Sequence, residues 1–127
     1  MNQEIILSKD TMIVSETNEK GIIIYANDDF CKIASYTKDE VIGQPHNILR
    51  HEDMPKAAFK DLWEHAKNNK VWKGIVKNKT KHGDYYWVNA TVYSVIKKDL
   101  QTRYISVRIK PTKEEIQNAI SLYKTLD

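Results

Sequence analysis

The sequence predicts a single α+β domain: a five-stranded antiparallel sheet with helices over one face and a further helix at the C-terminus. Three observations lead there. β-rich runs stand at residues 12–15 and 22–25, then at 72–80, 84–96 and 103–110, so strands cluster toward both ends of the chain. Helical signals fill the middle, most clearly an apolar stripe at 58, 59, 62, 63 and 66. The length of 127 residues is that of one domain able to bury a core without staples.

The first two runs, MIVS and IIIY, are joined by the polar segment Glu16-Thr17-Asn18-Glu19-Lys20-Gly21, which predicts a hairpin. Asn27 or Asp28 then caps a short helix carrying Phe30, Ile33 and Ala34. Thr37-Lys38-Asp39-Glu40 has the capping-box pattern, and Gly43 ends that turn. Residues 44–52 read as irregular, with at most one turn around Ile48. The longest helix is expected to start at Asp53 as N-cap, with Pro55 tolerated in its first turn. His82-Gly83 turns between the two long β-runs. Pro111 stops the last run, and Thr112 caps a terminal helix with Ile116, Ala119, Ile120 and Tyr123 on one stripe.

Strand alternation assigns faces. In 72–80, Lys73, Lys77 and Lys79 mark the solvent side, so Trp72, Gly74, Val76 and Asn78 point inward. A buried amide needs partners, which makes Asn78 a candidate to hydrogen-bond the polar edge of a ligand ring. Gly74 leaves room on the same face for a flat body. In 84–96 both faces are largely non-polar: Tyr86, Val88, Ala90 and Val92 on one, Tyr85, Trp87 and Tyr93 on the other. The second, outer set suggests a cover, either residues 1–10, the terminal helix, a second copy or a signalling partner.

Composition narrows the function. The 20 basic against 17 acidic residues give a net charge of +3, too little to imply nucleic acid. Cys31 is the only cysteine, which excludes an intramolecular disulfide and a cysteine zinc site and suits a reducing compartment. No apolar run nears the ~20 residues of a membrane helix, and MNQEIILSKD is no signal peptide. A cytoplasmic protein without direct membrane insertion is expected, reaching a membrane only through a partner. No nucleophile–base pair has diagnostic spacing, so catalytic and metal-ligating residues are not assigned and an enzyme is not expected. Arg50-His51-Glu52-Asp53-Met54-Pro55 sets a guanidinium and an imidazole just before a helix start, a combination suited to a phosphate-bearing ligand.

The chain resembles a PAS domain. Tyr25-Ala26-Asn27-Asp28, Gly43-Gln44-Pro45-His46-Asn47, Arg50-His51 with Asp53-Met54-Pro55, Trp72-Lys73-Gly74, Lys77-Asn78 and Gly83-Asp84-Tyr85-Tyr86-Trp87 look like the FAD-binding PAS domain of bacterial aerotaxis receptors, over about residues 11–126. The resemblance implies non-covalent FAD held between sheet and helices, with its redox state relayed to a chemotaxis transducer. It implies residues 1–10 as an N-terminal cap segment, 11–111 as the sensor domain and 112–127 as the C-terminal amphipathic helix. Carried over by position, Asn27, Arg50, His51, Asp53, Met54, Phe59 and Asn78 are implied in FAD binding. Trp72 matches a tryptophan near the flavin of related redox sensors, and Arg108 matches a flavin-facing glutamine of light-sensing PAS domains. Alternation alone does not favour Arg108, since Ile105, Val107 and Ile109 form the apolar set of that strand. The light-sensing domains need a cysteine in an Asn-Cys-Arg motif, which His46-Asn47-Ile48-Leu49-Arg50-His51 lacks.

The membrane, linker and signalling segments of full-length aerotaxis receptors have no counterpart here. The transducer is thus expected as a separate membrane protein or as a further C-terminal region, and a homodimer fits the aromatic outer face. Two other readings stay open at this level. One is a haem or small-ligand sensor using His51 or His65; the other is a ligand-free interaction module.

Overall fold

A computed structural model describes residues 2–126. In chain order the elements are β1 (Met12–Thr17), β2 (Ile23–Ala26), α1 (Asp28–Ala34), α2 (Lys38–Val41), a 3-10 turn (His46–Leu49), α3 (Lys56–Lys67), β3 (Trp72–Lys79), β4 (Tyr85–Ile96), β5 (Thr102–Ile109) and α4 (Lys113–Tyr123). The strands form one sheet in the order β2-β1-β5-β4-β3, antiparallel throughout. The two chain-terminal strand groups therefore meet at the β1–β5 pair, where Ile13 lies opposite Arg108 and Ser15 opposite Ser106.

Alternation then sets the inner face. Ile13, Val88, Tyr86 and Val76 are buried there with Phe30, Ala34, Val41 and Leu49 from the helical layer. Both predicted capping boxes form: Thr37 with Glu40, and Thr112 with Glu115. Asn27 caps α1 and does more. Its Oδ1 accepts from the Phe30 and Val14 amides, both at 3.0 Å, and its Nδ2 donates to the Met12 carbonyl at 2.8 Å. One side chain thus starts α1 and fastens it to β1. Asn27→Ala should cost about 2–4 kcal/mol, a cap of about 1 plus two further hydrogen bonds of about 0.5–1.5 each. A shift of less than about 0.5 kcal/mol in urea unfolding would show that α1 is held by packing alone.

The start of α3 corrects the sequence reading. The helix begins at Lys56 with Pro55 as its cap residue, and no side chain caps it. Asp53 is captured elsewhere. Residues 51–54 close a separate turn in which the Met54 amide donates to the His51 carbonyl at 3.1 Å and the Asp53 amide to His51 Nδ1 at 3.0 Å. The Asp53 carboxylate receives Lys77 Nζ at 2.8 Å. Pro55, extended at ψ 144°, separates this turn from the helix.

The outer face is shared. Residues 2–5 run beside the start of β4: the Asn2 amide donates to the Gly83 carbonyl, Tyr85 to Gln3 and Ile5 to Tyr85. Trp87, 8% exposed, sits next to Lys77, whose ammonium stands 4.5 Å from the Tyr85 ring centre and 5.8 Å from that of Trp87. α4 lies along edge strand β3, with Glu115 accepting from Asn89 Nδ2 at 3.1 Å and the Tyr123 hydroxyl donating to the Ile75 carbonyl. Met12 and Ile109 remain open to solvent.

Candidate functional site

A cavity of about 330 Å³ lies between the inner face of the sheet and α3. In register, Asn78 pairs with Tyr86 near one end of the sheet, Arg108 with Ala90 midway, and Tyr104 lies toward the other end opposite Thr17. The cavity touches Asn78, Ala90, Arg108 and Tyr104, and it is closed above by Leu49, Arg50, Phe59, Leu62 and Trp63. Its walls are mainly flat and apolar, with a few polar groups at fixed points, the general design of a small-molecule site.

Arg108 dominates the electrostatics. It is fully buried, and among the described residues no carboxylate pairs with it. Nη2 donates to Ser15 Oγ at 2.6 Å and Nη1 lies 3.3 Å from His46 Nε2, which in turn is 3.0 Å from Ser15 Oγ. Burial lowers the guanidinium to about 10, so it stays charged at neutral pH. Burial, and then the Arg108 charge, push His46 down to about 3, so its imidazole is neutral and Nε2 can accept from Arg108. Tyr86 is pushed up to about 12 by burial, against the opposing pull of Arg108 and Asn78 beside it, and stays a neutral phenol. The Ser15–His46 contact has the look of a nucleophile with its base. An imidazole with so low a proton affinity cannot take the serine proton, and Arg108 already occupies both groups.

The residues implied by the motifs divide into two sets. Arg50, Phe59, Asn78 and Arg108 line the cavity. The Arg50 guanidinium lies over the Phe59 ring at 3.9 Å from its centre. The Nε atoms of Arg50 and Arg108 are buried and have no hydrogen-bond partner among the described residues, an unusual state for cationic donors. Asn78 is 5% exposed with its amide on the wall.

Asn27, His51, Asp53, Met54 and Trp72 do not line this cavity. Asn27 is spent on β1 and α1. His51, Asp53 and Met54 make a clasp on β3: Lys77 Nζ holds Asp53, the Lys77 amide donates to Met54 Sδ at 3.4 Å, and Arg50 forms a backbone bridge to Asn78. His51 packs edge-on against Tyr85, ring centres 6.1 Å apart. Its Nδ1 accepts from the Asp53 amide and stands 3.7 Å from the Asp53 carboxylate. The RHEDMP segment thus delivers Arg50 and Asn78 to the cavity by seating a loop. His65 bonds the Asp61 carbonyl on its own helix. Neither histidine suggested for haem reaches the cavity.

Trp72 turns aside because its indole donates to Asp61 Oδ2 at 2.9 Å and lies across Gly74. A Cβ on Gly74 would stand 2.4 Å from the indole, so this glycine makes room for Trp72 and not for a ligand. Gly74→Ala should therefore destabilise the fold by about 1–3 kcal/mol, with a Trp72 fluorescence change in the native state. An unchanged spectrum and stability would show that the indole is free to move. Trp72 borders a second hollow, of about 560 Å³, between α3, β3 and α4.

Sequence reading passed over Ser15 and met His46 only within a motif, because the two lie on distant segments. Ser15 does share the inward alternation of Ile13 and Thr17, the one local signal for it. Arg108 faces inward with Tyr104 and Ser106, because β5 turns its apolar set to the outer face.

A five-stranded antiparallel sheet with helices over one face and a cavity between them is the architecture of a PAS-type sensor domain. The chain belongs to the PAS fold family, whose sequence profile matches residues 23–108. It is 45% identical over 121 residues to the aerotaxis receptor of Escherichia coli (strain K12), a match covering 95% of this chain and 24% of that protein. It is 24% identical over 86 residues to the nitrogen fixation regulatory protein of Klebsiella oxytoca, covering 68% of this chain and 17% of that one. The chain therefore spans about a quarter or less of these relatives. The light-state structure of the blue-light photoreceptor Aureochrome1 LOV superposes with a TM-score of 0.74 at 13% identity, over 92% of this chain and 93% of that one, and shares the fold. Among the described residues, no helix is long and apolar enough to cross a membrane.

Proposed function

We propose that this chain is the FAD-binding sensor domain of an energy-taxis system, which relays flavin redox state to a chemotaxis transducer. The observation that carries the reading is the fully buried, charged Arg108, which has no carboxylate partner among the described residues and lines a mainly apolar cavity together with Asn78. Such a cation is stabilised by a ligand rich in acceptors that gains electron density. The motif resemblance to aerotaxis receptors and the 45% identity to one of them support the same assignment.

When bound, the flavin supplies the redox change, its ring becoming more electron-rich on reduction. The residues supply the rest. Asn78 would hydrogen-bond a polar edge of the ring, and Phe59, Leu62 and Val92, which line the cavity, would keep water from it. Arg108, held by Ser15 and neutral His46, meets the added charge without moving. The domain reports rather than catalyses, and a signal requires two protein states that favour different redox forms. The transducer is a separate membrane protein or a further part of the chain, reached from the cytoplasmic side, with a homodimer through the outer face as the natural assembly.

The test is the visible spectrum of protein from its native host, with and without dithionite, and the mass of the ligand released by heat. A two-banded flavin spectrum that bleaches and a released mass of FAD are expected; a Soret band, FMN or no chromophore would reject the reading. Asn78→Ala should lose most of its flavin or shift its bands, since a buried amide partner is worth about 1–3 kcal/mol. Full occupancy with an unchanged spectrum would remove Asn78 from the site.

A further inference from the structure

The enclosed volume of about 330 Å³ is at the lower end of pockets that hold a drug-sized ligand, roughly 300–1,000 Å³. It accommodates a flavin ring and not a whole dinucleotide, so the rest of the ligand must leave through the opening. Burial locates that opening. The wall residues exposed to solvent are Glu19, Lys20, Pro45, Asn47 and Lys67, so the cavity opens between the β1–β2 turn, the 3-10 turn and the end of α3.

Two lysines, Lys20 and Lys67, stand among the residues of this opening. Lys20 stands on the β1–β2 turn, next to Gly21, whose φ of +79° shapes the turn and brings it against Trp63. Lys67 stands on α3 one turn after Trp63, on the same side of the helix. Trp63 is fixed edge-on to Tyr104 at 5.1 Å and 80°, which sets the spacing between turn and helix. Among the described residues neither lysine is engaged in an ion pair, so both ammonium groups are available to an anion at the opening. The one carboxylate of the rim, Glu19, accepts from the Thr102 amide at 3.2 Å.

Resting on the flavin reading above, we propose that Lys20 and Lys67 form a clamp for the diphosphate of the bound dinucleotide. Arg50 lies deeper, on Phe59 beside Asn78, so the clamp belongs to the two lysines. It discriminates phosphate-bearing flavins from riboflavin by charge at the opening.

The experiment measures the affinities of FAD and riboflavin for full-chain apoprotein, wild type, Lys20→Gln, Lys67→Gln and the double variant, at low and high salt. Each single change should weaken FAD roughly two- to fivefold and the double about tenfold, the scale of exposed ion pairs, with a flatter salt dependence. Riboflavin affinity should not move. FAD affinity unchanged in the double variant, or riboflavin weakened equally, overturns the clamp while leaving the flavin site standing. Wild-type protein that binds neither flavin overturns the flavin reading and the clamp with it.

Discussion

On the flavin reading proposed above, Arg108→Gln should leave the flavin bound and lower its two-electron reduction potential by about 30–65 mV, as one charge-assisted hydrogen bond of about 1.5–3 kcal/mol is lost from the reduced form. The sign follows from burial. Arg108 is fully enclosed, remains protonated because burial takes it only to about 10, and has no carboxylate among the described residues to neutralise it. Added electron density on the ligand therefore meets a full positive charge that solvent does not screen. Glutamine keeps donors for Ser15 and removes the charge. Lysine keeps the charge and loses the fork, so Arg108→Lys should restore much of the potential while binding less tightly. Potentiometric titration of the three proteins decides. Equal potentials for wild type and Arg108→Gln would show that the guanidinium only braces Ser15 and His46.

The second large effect is loss of stability in mild acid. His46 is held neutral in the folded protein, down to about 3 from an ordinary 6.5, by burial first and by Arg108 next. Between those two values the unfolded chain binds the extra proton, so stability falls as pH drops from 6.5 toward 3. At pH 5 the loss reaches about 2 kcal/mol, at about 1.4 kcal/mol per pH unit; the part of the ring's surroundings still open to solvent moderates that size and leaves its sign. Asp53, lowered by its bond to Lys77, and Glu40, lowered by its bond to Lys81, act lower on the pH scale, overlapping only the acid end of the His46 range. Their depressed values stabilise the fold above the ordinary carboxylate range and are lost only in stronger acid. His46→Gln, which retains an acceptor for Arg108, should be less stable at neutral pH and should lose the slope between about pH 6.5 and 5. Urea midpoints across that range measure it, and a wild-type protein with a flat profile would show that the imidazole is solvated.

Much of the architecture was legible without coordinates because it rests on neighbours in sequence. Period-two alternation sent Asn78 inward and the lysines of β3 outward. The capping boxes at Thr37 and Thr112 need only residues three apart. The α3 stripe at 58, 59, 62, 63 and 66 marks a buried helix face whatever lies beneath it. Where local rules failed, a distant partner had won. Asp53 has the chemistry of a helix cap, yet Lys77, 24 residues on, holds its carboxylate. Gly74 reads as space for a ligand until the indole of Trp72 is seen to fill it.

The sequence by itself determined the α+β class, the five strands, the inward faces of β3 and β4, and the family, but not that β5 turns Arg108 inward. Only the tertiary structure decided what the inward side chains meet. The Ser15–His46–Arg108 cluster joins residues 31, 62 and 93 positions apart. The opening pairs a hairpin turn with the far end of a helix. Such meetings depend on the register of β1 against β5 and on the seat of α3 over the sheet. Both are set by long-range packing, which leaves no periodic trace in the chain.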